Sequence, residues 1–189
     1  MNKEKFLKEY FKKLELLINF TEEDISKLIK TSELMLEAHK KNKKTLVFGN
    51  GGSAAIASHF SVDITKNARV RCTNYNESDL LTCFSNDFGY ERWVEKTIEF
   101  YSDPEDVLIL ISASGSSPNM INAAKFAKKN NIKSIITLTG NKKENELKSL
   151  GDINFWVDSS AYNHIENVHQ ILLLSIVDLI IGKSEYPPN

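Results

Sequence analysis

Cysteine is scarce in this chain of 189 residues, with only Cys72 and Cys83. Two thiols cannot build a disulfide framework or a cysteine-based zinc site, and both lie in apolar segments, which suits small buried side chains. Arginine is limited to Arg69, Arg71 and Arg92, and the 24 basic residues are matched by 25 acidic ones for a net charge of −1. No global field draws the protein to nucleic acid or to an anionic membrane. Long apolar runs are missing too: the richest stretch, Ile171 to Ile181, is too short to cross a bilayer and contains Asp178. The opening MNKEKFLKEYFKKLELL is charged throughout, which argues against a signal peptide and for a cytoplasmic protein. Internal repeats and low-complexity tracts are absent.

What remains is ordinary globular composition, 41% hydrophobic and 26% charged, sufficient for one domain over residues 1–189. Residues 1–42 read as a helical hairpin. Phe6, Tyr10, Phe11, Leu14, Leu17 and Ile18 recur at three- and four-residue steps. Thr21, followed by Glu22, Glu23 and Asp24, is an N-cap signal for a second helix, with Ile25, Leu28, Ile29, Leu34 and Leu36 facing inward. Over residues 43–184 short β-rich runs (TLVFG, ARVRC, DVLILISAS, KSIITLTG, INFWVD) alternate with helical stretches beginning near Ser53, Tyr90, Pro118, Leu147 and Ile165. That alternation predicts an α/β fold, a three-layer, doubly wound parallel sheet. The closing EYPPN, residues 185–189, reads as a frayed tail.

Two strand-to-helix turns carry chemistry. Phe48-Gly49-Asn50-Gly51-Gly52-Ser53 has three glycines in four residues, which lets backbone N–H groups face an anion while Ser53 caps the helix. The spacing matches neither a dinucleotide fingerprint nor a nucleotide P-loop. Ile111-Ser112-Ala113-Ser114-Gly115-Ser116-Ser117-Pro118-Asn119 places four hydroxyls after a buried strand, with proline suited to the first helical turn. Serines here also suit simple capping. Together, at the carboxyl ends of parallel strands, the two turns make a pocket of neutral donors for a sugar phosphate.

GNGGSAAIASHF, SNDFGYERW, the segment from Asp106 to Gly140 and HIENVHQILLLSIVDLI, in that order, resemble the SIS (sugar isomerase) family, most closely its phosphoheptose isomerase branch, over nearly the whole chain. The resemblance implies a flavodoxin-like SIS fold and a homo-oligomer, a tetramer, with sites between subunits. It implies substrate contacts at Asn50, Gly51, Gly52, Ser53, Asn86, Asp87, Ser112, Ala113, Ser114, Ser117 and Glu166. By itself, Asn86-Asp87-Phe88-Gly89 reads as a turn closed by an Asx side chain. Ala113 stands where relatives often carry threonine.

An aldose–ketose isomerase needs a base, a group that stabilises oxygen charge and a dry pocket. The family resembles this scheme with a zinc site of His, Glu, Gln and His. Here His59 matches the first ligand, Asp63 replaces the glutamate, Glu166 stands at the glutamine position, and Leu174 occupies the second histidine position. The resemblance leaves His59, Asp63 and Glu166 as ligands for zinc or another divalent metal, with Asp63 as base and Glu166 in the stabilising role. At roughly 100° per residue from Glu166, Gln170 lies nearer to Leu174 than His169 does. His169 reads as structural or at a subunit contact, His164 as a cap or pocket-lining residue, and His39 as surface. The implied reaction converts sedoheptulose 7-phosphate to a manno-heptose 7-phosphate for surface polysaccharide. The alternative is a non-catalytic SIS protein that binds a phosphosugar, including a type associated with the replication initiator; Leu174 favours it and the retained His59 and carboxylates oppose it.

Overall fold

The computed structural model describes residues 1–186, so the last three residues of the expected tail, 187–189, lie outside it. Two helices, α1 (Lys3–Leu17) and α2 (Glu22–Lys40), precede the sheet. Thr21 forms the expected cap, accepting from the Asp24 N–H at 3.2 Å while the Asp24 carboxylate accepts from the Thr21 N–H at 3.0 Å. The chain then runs β1 (Thr45–Gly49), α3 (Gly52–Lys66), β2 (Cys72–Thr73), α4 (Ser78–Phe88), α5 (Trp93–Tyr101), β3 (Val107–Ser112), α6 (Pro118–Ala127), β4 (Ser134–Thr139), α7 (Glu146–Leu150), β5 (Ile153–Trp156) and α8 (Tyr162–Ile181).

All strands are parallel in the order β2-β1-β3-β4-β5, as the alternating pattern predicts. Side chains alternate across each strand, and both faces are apolar. Val47, Ile109, Ile111, Ile136 and Leu138 pack against α2, α3 and α8, while Leu46, Phe48, Leu108, Leu110 and Ile135 pack against α5, α6 and α7. A buried charge cluster ties the amino ends of β1 and β3. The fully buried Asp106 carboxylate accepts from the backbone N–H groups of Lys44 (2.9 Å) and Asp103 (2.8 Å) and pairs with Lys44 Nζ (2.8 Å).

Five expectations change. ARVRC does not run as a strand, because Arg69 turns into the left-handed region (φ 59°) and only Cys72 and Thr73 join the sheet. Residues 78–88 form a helix that the apolar pattern does not announce, so Asn86 and Asp87 lie in its last turn and not in an Asx-closed loop. In the hairpin, Leu28, Met35 and Ala38 face the core, whereas Ile25 and Ile29 are more than two-fifths exposed, as are Phe6 and Phe11. Helix α8 begins at Tyr162 and so has the length and composition of a membrane span, but Ile165, Val168, Leu172, Leu173, Ile176 and Val177 bury its apolar face in the core. Of the cysteines, Cys72 is half-buried and Cys83 is exposed, its thiol held protonated above the usual range chiefly by the neighbouring Asp87 charge.

The histidines divide by burial. His39 is half-buried, its Nδ1 accepting from the Arg71 N–H at 3.2 Å. His164 does not cap α8, whose N-cap is Ala161; it is buried under Tyr10 with ring centroids 4.2 Å apart, joining α1 to α8. His169 is fully buried, with Nε2 3.1 Å from the Thr139 carbonyl. Burial pushes its pKa down to about 4, against the smaller upward pull of that hydrogen bond. An unfolded His169 takes up a proton near its ordinary value and the folded one does not, so stability falls as pH drops from about 6.5 to about 4 and this loss ends below. The whole effect is about 3 kcal/mol by linkage. Urea unfolding near neutral pH and near pH 5 should show His169→Gln, whose amide nitrogen stands where Nε2 does and keeps a donor for Thr139, losing less stability on acidification than the wild type; equal losses would assign the dependence to other groups.

Candidate functional site

Strands β1 and β3 are neighbours in register, with Gly49 opposite Ile111, so their following turns emerge side by side at the carboxyl edge. The helices after these strands lie on opposite faces of the sheet, and this is where an open α/β sheet leaves a crevice. In the first turn Gly51 adopts φ 55°, ψ −120°, a conformation closed to residues with a Cβ, and starts α3. Ser53 does not cap the helix: Gly51 is the N-cap, and Ser53 is buried within the first turn with its N–H donated to the Asn50 carbonyl at 3.0 Å. The carboxylate of Glu166 reaches across from α8 to Gly52, so close that a Cβ there would displace it.

The second turn bends at Gly115 (φ 66°), whose N–H donates to the Ser112 carbonyl at 2.9 Å. A Cβ on Gly115 would strike Asn145, the N-cap of α7, so the turn is braced from outside. Its hydroxyls converge: Ser112 Oγ lies 2.9 Å from Ser117 Oγ and 3.4 Å from Ser114 Oγ, and Ser116 Oγ donates to Ser114 Oγ at 3.1 Å. Ser117 is the N-cap residue of α6 yet makes no side-chain capping bond, so simple capping does not account for its hydroxyl. Ala113 is buried at the centre of the turn. The cluster presents neutral donors at a helix N-terminus, suited to a phosphomonoester.

The third segment enters differently. Asn86 and Asp87 are exposed at the end of α4 and pair with each other at 2.9 Å. Tyr90, which the sequence reading passes over, bonds Asn50 at 3.0 Å and brings this segment to the first turn.

On α3, His59 and Asp63 face one another as the four-residue spacing requires, Nε2 to Oδ2 at 3.2 Å. The other ring nitrogen, Nδ1, is 3.0 Å from the Gln170 amide. Glu166 stands apart against Gly52, and Leu174 packs beside the core. Among the described residues no three His, Cys, Asp or Glu side chains converge on one point. In this structure the expected metal set of His59, Asp63 and Glu166 does not share one point: His59 and Asp63 pair beside Gln170, and the Glu166 carboxylate lies against Gly52. Gln170 is where the helical angle points.

A family profile described as SIS domain matches residues 9–140. A phosphoheptose isomerase of Buchnera aphidicola (from Acyrthosiphon pisum) is 33% identical over 191 residues, covering 97% of each chain. One from Aliarcobacter butzleri is 33% identical over 94% of this chain and 96% of its own. The structure of a phosphoheptose isomerase from Neisseria gonorrhoeae superposes with a TM-score of 0.83 at 26% identity, covering 96% of this chain and all of the other.

Replacing Ser114 and Ser117 together by alanine removes two donors that, toward an anion, contribute about 1.5–3 kcal/mol each. Calorimetry should show sugar-phosphate affinity at least about tenfold weaker, with the melting temperature little changed. Unchanged affinity in a folded double variant would remove the phosphate from this loop.

Proposed function

This chain belongs to the SIS domain family, in its phosphoheptose isomerase branch, and is an isomerase of phosphorylated sugars; from that premise we propose that it interconverts sedoheptulose 7-phosphate and D-glycero-D-manno-heptose 7-phosphate, feeding heptose to surface polysaccharide. The observation that carries this reading is the convergence of Ser112, Ser114 and Ser117 beside the Asn50 turn, against which the Glu166 carboxylate lies. Relatives named for the heptose substrate match end to end.

In this proposal the serine turn binds the phosphate, and Asn50, Gly51 and Gly52 flank the carbon chain. Asp63, aligned by His59, takes the proton from C1 of the ketose as the C2 carbonyl becomes an enediol. The proton returns to C2, and Glu166, lying against the substrate turn, passes the balancing proton between the two oxygens. Asn86 and Asp87, exposed on this protomer, meet the sugar at a subunit boundary. The exposed Phe6, Leu7, Phe11, Ile25 and Ile29 of the hairpin are the apolar surface that a homotetramer would cover. The protein works in the cytoplasm.

The non-catalytic alternative rests on Leu174, which is partly buried against the core and carries no proton. Turnover decides between them. Asp63→Asn keeps shape and removes basicity, so kcat should fall about 10²–10⁴-fold with KM little changed. A folded wild type without turnover on heptose phosphates, with or without added zinc, would overturn the proposed reaction. Because His59 and Asp63 alone hold an ion weakly, elemental analysis after dialysis should find well under one divalent ion per chain; a full equivalent would mean that Glu166 or another group moves in.

A further inference from the structure

Asn50 is held by two residues outside the expected contact set. Its Nδ2 donates to Asn119 Oδ1 at 3.0 Å, and Asn119 Nδ2 donates back to Asn50 Oδ1 at 2.8 Å, closing a reciprocal amide pair. Tyr90 Oη donates to the same Asn50 Oδ1 at 3.0 Å. Asn119 is buried in the first turn of α6, directly after the serine turn, and Tyr90 follows the Asn86–Gly89 segment. One side chain thus joins all three segments of the cleft.

The hydrogen-bonding inventory of this amide has a chemical consequence. A primary amide has two N–H donors and two acceptor positions on oxygen. Both acceptor positions of Asn50 are filled, by Asn119 and by Tyr90, and one N–H is taken by Asn119. A single N–H is left. Without Tyr90 the oxygen keeps a free lone pair and the amide can serve a ligand hydroxyl as acceptor. With Tyr90 in place it can only donate.

We propose that Tyr90 and Asn119 are positioning residues that lock Asn50 as a donor, aimed at the substrate oxygen that gains negative charge during isomerisation. This rests on the isomerase reading above and deepens it. Leu174 can neither hold a proton nor donate a hydrogen bond, and a fixed donor acting on developing charge stabilises it. A polyol phosphate, whose hydroxyl oxygens never carry this charge, gains little from the lock. A hydroxamate analogue, whose oxygen resembles that of the enediolate, gains most.

The test uses the full-length protein and three ligands in calorimetry: a sugar phosphate hydroxamate, the matching polyol phosphate and inorganic phosphate. Tyr90→Phe removes one hydroxyl from a half-exposed ring and should leave the melting temperature unchanged. Loss of the lock should weaken hydroxamate binding about three- to tenfold, the effect of one hydrogen bond. Polyol phosphate and inorganic phosphate should shift less than about twofold on the same scale, and kcat should fall more than KM rises. Asn50→Asp, which puts a carboxylate oxygen where the donor was, should weaken the hydroxamate more than Tyr90→Phe does. Equal weakening of all three ligands, or none, would overturn the lock while leaving the isomerase reading intact. A folded wild type that binds neither sugar ligand would overturn both.

Discussion

Parallel pairing of β1 with β3 in register, inside a sheet covered on both faces, is the constraint on which the site depends. A parallel strand pair needs a crossover connection, so every strand must be followed by a helix that returns over the sheet. Winding in the order β2-β1-β3-β4-β5 sends the helices after β1 and β3 to opposite faces. The two polar turns are then adjacent and open upward. Packing of Val47, Ile109 and Ile111 against α3 and α8 supports this edge from below. At the opposite edge, Asp106 and Lys44 pin the same two strands by buried hydrogen bonds and charge.

The turns are not free loops resting on that scaffold. Each glycine-dependent bend is met by a side chain from elsewhere, Glu166 against Gly52 and Asn145 against Gly115. Asn50, Asn119 and Tyr90 then link the turns to each other. A phosphate cradle of neutral hydroxyls works only if its donors are already arranged, because disordered hydroxyls would be satisfied by water. The bracing supplies that order without a lysine or arginine among the loop residues. In this arrangement Glu166 does not join His59 and Asp63. Its carboxylate sits where a Cβ on Gly52 would be, and the same α8 sends Gln170, not an ionisable group, to the imidazole.

Much of this was legible in the chain. Five β-rich runs separated by helical periods implied the parallel sheet, Thr21 and Asp24 marked a helix start, and the glycine and serine turns stood out by composition. The four-residue spacing of His59 and Asp63 guaranteed that they would meet, since a helix brings such positions onto one face. Leu174 announced the incomplete ligand set. These are local properties, decided by backbone geometry within a few residues.

Contacts between distant segments were not legible. Helix α4 escaped notice because its polar residues hide the apolar period of Leu80, Leu81 and Phe84, which pack under the neighbouring core. Ile25 and Ile29 fit an amphipathic stripe equally well facing in or out, and only the position of α8 turned Leu28 and Met35 inward instead. His164 and His169 lie on one helix, yet neither reaches the cleft, because Tyr10 covers one and the Thr139 carbonyl holds the other. The amide pair of Asn50 with Asn119 spans 69 positions, and no periodicity encodes it. Composition and spacing determined which groups the chain could bring to a phosphate and which acid it lacked. Which of them meet, and that Glu166 joins the substrate turn instead of the histidine, was decided by packing α8 against α3, since helix contacts set partners by surface shape and not by order along the chain.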